Sequence, residues 1–241
     1  MSHKTNHDRR IIDIIRFYEI LDELDKKVGG PRTLGNCNGK MTWPERGVYF
    51  FFEAGEKRSN SGAGPRLVRA GTHALIPGAK SKLWKRLHQH RGPITTGAGN
   101  HRGSVFRWHL GTALIKRDHW HGSVRNSWTE RKGVPLDTRH KEKDLEQAVS
   151  AYIRKMPFLW LEVDDKPGPD SMRGYIERNA IALLSNFNHS EYLIDPQSPH
   201  WLGNYSDNPA IHQSGLWNVD HVDKIHEQEF LSRLITLVEG M

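Results

Sequence analysis

An arginine and a histidine four residues apart, Arg86 and His90, carry the clearest potential for chemistry in this sequence. On a helix they lie in one arc with Leu83 and Leu87, so both polar groups flank an apolar stripe instead of facing open water. The planar fork of an arginine matches the oxygens of a phosphoryl group, and a neutral imidazole accepts a proton near pH 7. The pair therefore suits hydrolysis of a phosphate ester.

Three short elements position this pair. Residues 47–53 form an apolar run with β-branched and aromatic members, which is typical of a buried strand. Residues 66–72 form a second run after a turn rich in Gly, Ser and Pro, so the two runs predict a hairpin. Residues 82–91 follow as a helix, with Ser81 as its predicted cap and a Gly-Pro pair after its last residue.

This order of motifs resembles the GIY-YIG nuclease domain, in which a Gly-x-Tyr strand, a second strand ending in glycine and a helix with an arginine follow one another. The resemblance covers about residues 47–185. It implies an α/β (α+β) fold with a small mixed or antiparallel β-sheet flanked by helices, here with a basic insertion and extra N- and C-terminal helices. It further implies a DNA endonuclease that uses one divalent metal ion, Mg²⁺ or Mn²⁺.

The resemblance assigns roles to individual residues. Tyr49 matches the first signature tyrosine, Gly71 the glycine of the second signature, and Arg86 the helical arginine. His90 matches the tyrosine or histidine that follows this arginine in some restriction-enzyme members. On chemical grounds either Tyr49 or His90 can orient or deprotonate the attacking water, and both assignments stay open.

A carboxylate for the metal comes from a later helix. Residues 158–163 predict a third strand and residues 171–185 a helix, in the order that the family has. Glu177 lies at the edge of the apolar stripe of that helix, and the resemblance makes it the metal ligand. Many family members have a late asparagine near the metal, for which Asn218 is preferred over Asn186.

Arg69 stands two residues before Gly71, where the family has its second tyrosine. Three interpretations follow: another group such as His73 takes that role, the active site is altered, or the protein is not a nuclease. An altered site favours a second function, a nucleic-acid-binding or assembly module that keeps the fold without cleaving. A nuclease that acts on RNA is a third function.

Basic residues are concentrated in one part of the chain. The net charge is +7, and residues 80–143 contain fifteen Lys or Arg against four Asp or Glu. Such a region is either a solvated face or a surface for a polyanion. Aromatic residues among the cations favour nucleic acid, because aromatic faces stack on bases. These residues are Trp84, Phe106, Trp108, Trp120 and Trp128. The predicted DNA contacts are Arg69, Arg91, His101, Arg102 and Arg107.

Chain length, cysteine content and hydrophobicity limit the class of protein. A chain of 241 residues forms one large domain or two small ones. Its single cysteine, Cys37, excludes a disulfide framework and a cysteine-based zinc site. No apolar run approaches the ~18 residues that span a bilayer. We therefore expect a cytoplasmic protein without a membrane partner, associated with the nucleoid when it binds DNA.

The expected organisation is one compact domain with terminal additions. The N-terminal helix starts at about Arg9 after a frayed tail, and the last helix spans about residues 223–238. That last helix is expected to pack on the first or to form a homodimer. Residues 104–115 fit a helix or a strand equally. The three parts are residues 1–43, a helix and loop; 44–218, the core with an insertion at about 92–141; and 219–241, the C-terminal helix.

Overall fold

The computed structural model describes residues 3–130 and 132–241. Its sheet has four antiparallel strands in the order β1-β4-β2-β3. The strands are β1 (Arg32–Thr33), β2 (Gly47–Lys57), β3 (Pro65–Gly71) and β4 (Pro157–Glu162). The predicted hairpin and the predicted third strand are confirmed as β2–β3 and β4.

Nine α-helices surround the sheet within the described residues. They are α1 (His3–Val28), α2 (Leu83–Arg91), α3 (Val105–Arg117), α4 (Gly122–Trp128), α5 (Leu136–Lys141), α6 (Lys143–Lys155), α7 (Met172–Leu184), α8 (Pro209–Ser214) and α9 (Phe230–Glu239). Short 3₁₀ turns lie at Leu34–Asn36, His101–Gly103 and Leu202–Tyr205. The structure therefore confirms an α+β fold in which helices flank a small antiparallel sheet.

Both faces of the central strand β2 are covered, which explains its uninterrupted apolar sequence. Val48, Phe50 and Phe52 point into a core that they share with α1, α7 and α9. Tyr49 and Phe51 alternate with them and point into a second core, shared with α2, α3 and α6. The sheet is therefore the middle of three layers, and neighbouring residues of one strand belong to different cores.

The register of the hairpin explains the glycine of the second signature. Tyr49 lies opposite Gly71, and a β-carbon at Gly71 would come within 2.5 Å of the ring and hydroxyl of Tyr49. A residue with a side chain would therefore displace the tyrosine. Only glycine lets the phenol pack directly against the β3 backbone.

Two helices start at places that the sequence did not predict. α1 is helical from His3, well before Arg9, because the polar residues there include no Gly or Pro to stop it. Residues 1 and 2 of the predicted tail lie outside the described chain. α2 starts after Lys82, and Ser81 is not its cap. Its first N–H donates instead to the carbonyl of Glu45 (2.9 Å).

α9 starts at Phe230, later than predicted, because tertiary hydrogen bonds hold the chain before it. His226 Nε2 lies 3.0 Å from Asp13 Oδ2 on α1. The Glu227 N–H donates to Asn179 Oδ1 on α7 (2.7 Å). Beyond this segment α9 packs on α1, which is one of the two predicted arrangements.

The predicted insertion at about 92–141 is largely helical and partly internal. Residues 104–115, for which a helix and a strand fitted equally, are helical from residue 105 onwards and belong to α3 (Val105–Arg117). Phe106 and Leu110 of α3 are fully buried in the second core. The segment after α3, which shows no clear periodicity in sequence, contains the short helices α4 and α5.

Membrane insertion through a helix has no support in the described residues, where no helix is both long and apolar enough to cross a bilayer.

Candidate active site

A small cleft of about 160 Å³ lies where β3 ends, beside α2, α7 and the first residue of α3. Three residues with predicted catalytic roles, Arg86, Glu177 and Asn218, line this one space. Arg69, from the altered signature position, lines it with them. The complete lining is Arg69, Thr72, Arg86, Val105, Glu177, Ile181, Asn218, Val219, Asp220 and His221.

Contacts at the start of α7 fix the position of Glu177. Arg173 forms an ion pair with Asp165 and donates to the backbone carbonyl of His73, just beyond β3 (2.5 Å). These contacts fasten α7 to the end of β3. The N–H of Thr72 then donates to Glu177 Oε1 (3.1 Å), so the carboxylate is held by backbone at the cleft.

The Glu177 carboxylate faces two cations without pairing with either. Burial is the main influence on Glu177 and raises its pKa, whereas the charge of Arg69 and that of Arg86 lower it. Asp220, a carboxylate on the same cleft, raises the pKa of Glu177 as well. No Lys, Arg or His nitrogen of the described chain lies within 4.0 Å of the Glu177 oxygens. Carboxylate and guanidinium groups therefore share the cleft at a distance that leaves room between them.

Arg86 enters the cleft from α2 and makes only weak contacts with the protein. Its Nη1 lies 3.3 Å from Gln89 Oε1 and 3.4 Å from the Gly103 carbonyl oxygen. Both acceptors are neutral and distant, and the buried Nε has no hydrogen-bond partner. The guanidinium therefore keeps donors available for an anion in the cleft.

Behind the cleft, Tyr49, His90 and Ser104 form a hydrogen-bonded chain. Tyr49 Oη lies 2.8 Å from His90 Nε2, and His90 Nδ1 lies 2.9 Å from Ser104 Oγ. Burial, together with three nearby arginines, lowers the pKa of His90 well below its usual value. The ring is therefore neutral near pH 7. In the tautomer with its proton on Nδ1 it accepts a hydrogen bond from Tyr49 and donates one to Ser104.

His90 does not line the cleft and is connected to it only through its hydrogen bond to Tyr49. Both side chains are fully buried, and neither belongs to the cleft lining. The Tyr49 ring packs against Gly71, the neighbour of the lining residue Thr72, and so lies just behind the cleft wall. The enclosed imidazole corrects the expectation that His90 can itself meet the attacking water. Its geometry suits a proton partner for the Tyr49 hydroxyl.

Arg69 fills the place of the second signature tyrosine. It pairs with Phe51 across the sheet, two residues before Gly71. Its Nη1 donates to the Trp217 carbonyl (2.6 Å), and its guanidinium carbon lies 4.7 Å from the centre of the Phe106 ring. Arg69 is only 8 % exposed and yet lines the cleft. A fixed cation therefore stands where the family pattern has a phenol.

His73, the candidate for the role of the missing tyrosine, lies outside the cleft lining. Its side chain is buried. Burial, with the charge of Arg173 as the next influence, lowers the pKa of His73 to about 4. The predicted catalytic role of His73 is thus not supported by its position, because the imidazole does not face the cleft.

Asn218 lines the cleft, but its side-chain amide forms hydrogen bonds with the backbone of β3. Its Nδ2 donates to the Ala70 carbonyl (2.8 Å), and its Oδ1 accepts from the Ala70 N–H (3.2 Å). This pair of hydrogen bonds occupies the open edge of β3 as a further strand would. The weaker candidate Asn186 lies away from the cleft, with Arg10 and Ile194 as its partners.

Sequence reasoning missed two polar residues of the cleft, Asp220 and His221. They follow Asn218, whose bonds to β3 bring this loop to the site. The φ of His221 is +66°, a left-handed conformation that is strained for a residue with a side chain and is enriched at functional sites. The only signal in the sequence is a short polar run after Trp217, and such a run does not predict a position at the site unless the fold is known.

Two of the predicted DNA contacts lie inside the protein around one carboxylate. Arg107 is fully buried, pairs with Glu146 and donates to the His90 carbonyl (2.8 Å). His101 is also fully buried, with Nδ1 2.8 Å from Glu146 and its ring stacked on Trp128 at 3.7 Å. These side chains stabilise the fold, which corrects the prediction that Arg107 and His101 contact DNA.

Arg91 and Arg102 are also engaged by the protein itself. Arg91 is buried, donates to a backbone carbonyl (2.5 Å) and lies over the Trp84 ring. Arg102 donates twice to the Glu142 carboxylate (2.7 and 2.9 Å). Both guanidinium groups are thus already bound by acceptors of the protein, and contact of Arg91 or Arg102 with DNA stays a prediction. Two aromatic residues predicted to stack on bases are fully buried as well, namely Phe106 and Trp128.

Replacing Glu146 with alanine should lower the free energy of unfolding by about 3–5 kcal/mol, because it leaves buried Arg107 without its counter-charge. Urea titration measures the change. The matched control is Glu45→Ala, which breaks an exposed pair with Lys82 and should change stability only slightly, because solvent screens such a pair. Equal, small losses in both variants would contradict the internal role of Arg107.

Stability should fall as the pH is lowered from about 6.5 towards 4. Because the folded-state pKa of His73 is lowered to about 4, the unfolded chain binds a proton in this range that the folded chain does not. The contribution of His73 is complete above pH 6.5 and amounts to about 3 kcal/mol at most. Urea titrations at pH 7 and pH 5 should therefore show a smaller pH effect in His73→Gln. An identical pH effect in both proteins would exclude this linkage.

The small antiparallel sheet, its flanking helices and a cleft with two carboxylates and two guanidinium groups fit a nuclease-type domain. A family model described as a GIY-YIG domain matches residues 8–241 of the chain. The protein therefore belongs to the GIY-YIG domain family, as its motifs predicted. Membership implies nuclease-type activity in general and a nucleic acid as substrate. No curated protein and no solved structure matches the chain.

Proposed function

We propose that this protein is a divalent-metal-dependent endonuclease that hydrolyses phosphodiester bonds in DNA at the cleft described above. The observation that carries the proposal is the meeting of Glu177 with Arg69 and Arg86 around one small space, without an ion pair to Glu177. Arg69 is buried, and Arg86 and Glu177 are half-buried. Charges that are largely removed from water are ordinarily paired, and exceptions concentrate at sites that bind ligands. A metal ion and a phosphate between these groups would satisfy all three.

The donor set of the cleft fits a hard cation such as Mg²⁺ or Mn²⁺. Glu177 offers one carboxylate, and Asp220 places a second on the same cleft. Within the described residues no group of three or more His, Cys, Asp or Glu could hold a metal, which argues against a zinc-type cage. Mg²⁺ is bound through one or two carboxylates and keeps several waters. When bound, such an ion polarises the phosphoryl group and stabilises the leaving oxygen.

Arg86 and Tyr49 have distinct roles in this proposal. Arg86 would hold the phosphoryl oxygens with its planar fork, for which its weakly engaged donors are suited. Tyr49 would take part from behind the cleft wall as a hydrogen-bond acceptor for the attacking water, while its own proton stays on the hydroxyl and is held by His90 Nε2 at 2.8 Å. The depressed pKa of His90 makes the imidazole too weak a base to remove that proton near pH 7.

The cleft has a volume of about 160 Å³ and is lined mainly by charged and polar side chains. Guanidinium groups of this kind bind the oxygens of a backbone phosphate. The site would therefore act on the backbone, and any preference for a base sequence would come from other surfaces.

A second candidate function is a nucleic-acid-binding module that does not cleave. The observation that favours it is Arg69, which replaces a signature tyrosine and is tied to the Trp217 carbonyl. Incubation of supercoiled plasmid with Mg²⁺ or Mn²⁺, and with a chelator as control, separates the two. The nuclease requires metal-dependent nicking; DNA binding without nicking would support the module. A parallel reaction with RNA tests the substrate class.

A further inference from the structure

Building on the nuclease function proposed above, we infer that Arg69 is a phosphate ligand of the cleft and acts there together with Arg86. The substrate group would thus meet two guanidinium groups, one from β3 and one from α2. Tyrosine at the signature position would supply one neutral hydroxyl. Arginine supplies a permanent charge and a planar set of donors.

Arg69 is held rigidly in an orientation that leaves donors unused. One end is fixed by the hydrogen bond from Nη1 to the Trp217 carbonyl (2.6 Å), and its planar group lies over the Phe106 ring. The buried Nε has no hydrogen-bond partner, although Arg69 is only 8 % exposed. Two further arginines of the described chain also have a buried Nε without a partner, but of these four only Arg69 and Arg86 line the cleft. A residue whose only task was to hold the Trp217 loop would not need to line the cleft.

Arg86, on the other side of the cleft, also has unused hydrogen-bond donors. Arg86 Nε is also buried without a hydrogen-bond partner. Both guanidinium groups line the same cleft as Glu177, yet neither comes within 4.0 Å of that carboxylate. Two permanent cations with unused donors around a space of about 160 Å³ favour a small anion with several oxygens. A phosphate group has this size and this chemistry.

The consequence is that the cleft should bind phosphate even when no metal is present. Inorganic phosphate should raise the melting temperature of the full-length protein in a chelator, compared with chloride at equal ionic strength, because a ligand of the folded state stabilises it. The dissociation constant follows from the concentration dependence. In Arg69→Gln it should rise by about tenfold to a hundredfold, the effect of losing one charge-assisted hydrogen bond.

Lys85→Gln is the matched control, because Lys85 is an exposed cation on α2 outside the cleft lining. Its dissociation constant for phosphate should equal that of the wild type. If Arg69→Gln fails to fold, Arg69→Lys keeps the charge but not the fork and should still weaken phosphate binding measurably. A phosphate affinity unchanged by both Arg69 substitutions, or equally weakened by Lys85→Gln, would overturn the inference.

A second arm separates free phosphate from the phosphodiester of a nucleic acid. Binding of a short DNA duplex in chelator should also weaken in Arg69→Gln relative to Lys85→Gln, since the diester presents the same oxygens. An equal loss in the two variants would count against Arg69 as a ligand of the backbone. Neither arm depends on cleavage, so a plasmid that stays intact with Mg²⁺ would defeat the proposed nuclease without affecting the result for Arg69.

Discussion

Glu177→Gln is expected to abolish plasmid cleavage, with a loss of about a thousandfold or more in the nicking rate. The substitution keeps the shape of the side chain and an oxygen that can accept from the Thr72 N–H (3.1 Å), but it removes the charge that would hold the metal. DNA binding in chelator should persist, because the two arginines of the cleft remain. Initial nicking rates with Mg²⁺, measured beside wild type, test this expectation.

The same substitution should leave the fold at least as stable as the wild type at pH 7. Burial raises the pKa of Glu177, so the ionised form is disfavoured in the folded state. For a carboxyl with a raised pKa, this unfavourable contribution grows as the pH rises through the folded-state pKa, and glutamine removes it. Glu162→Gln, an exposed carboxylate at the end of β4, is the matched control and should nick normally. Normal nicking by Glu177→Gln would remove Glu177 from the mechanism.

Arg86→Ala is expected to lower the cleavage rate by about 10³ to 10⁵, the range that single arginines contribute to phosphoryl transfer. Arg86→Lys should recover little, because an ammonium meets the spread charge of the phosphoryl group as a point and lacks the bidentate fork. The folded state should tolerate both changes, since the hydrogen bonds of Arg86 are long and go to neutral acceptors (3.3 and 3.4 Å).

Single-turnover cleavage with saturating enzyme measures the chemical step in these variants. Lys85→Ala, on the neighbouring position of α2, is the control for loss of one positive charge near the site and should change the rate by far less. Cleavage by Arg86→Lys at the wild-type rate would show that only the charge matters. Wild-type cleavage by Arg86→Ala would place the chemistry elsewhere.

The elements that position the site could be predicted because their signals are local. The apolar run of β2, the turn before β3 and the helical spacing of Arg86 and His90 each occupy fewer than about twelve consecutive residues. The register then follows from sterics, since Gly71 is the residue that tolerates the Tyr49 ring. Glu177 could be placed only through the resemblance, because its spacing from β3 has no local meaning.

The rest of the site depends on contacts between distant parts of the chain. Asp220 reaches the cleft because Asn218 pairs with Ala70, 148 residues earlier. Arg107 became internal because Glu146, 39 residues later, offers it a buried carboxylate. Neither the periodicity nor the composition of the sequence predicts such long-range contacts. A count of positive charges likewise does not separate solvated cations from those that neutralise an internal acid.

Because some cations of the basic region are internal, nucleic acid is expected to follow only the exposed ones. Several cations of the basic region are exposed, among them Lys80 and Arg125. Exposed cations add sequence-independent, salt-sensitive affinity for phosphates. The strand path is therefore expected to run over these residues and to pass the cleft with one phosphate turned inwards, between Arg69 and Arg86.

The most direct measurement is a crystal structure of the wild-type protein with a short DNA duplex and Ca²⁺, which takes the place of Mg²⁺ and slows hydrolysis. We expect one backbone phosphate within hydrogen-bond distance of Arg86, with the ion between that phosphate and the Glu177 carboxylate. Density for the DNA on another face of the molecule, or an ion bound away from Glu177 while the cleft holds no phosphate, would contradict it.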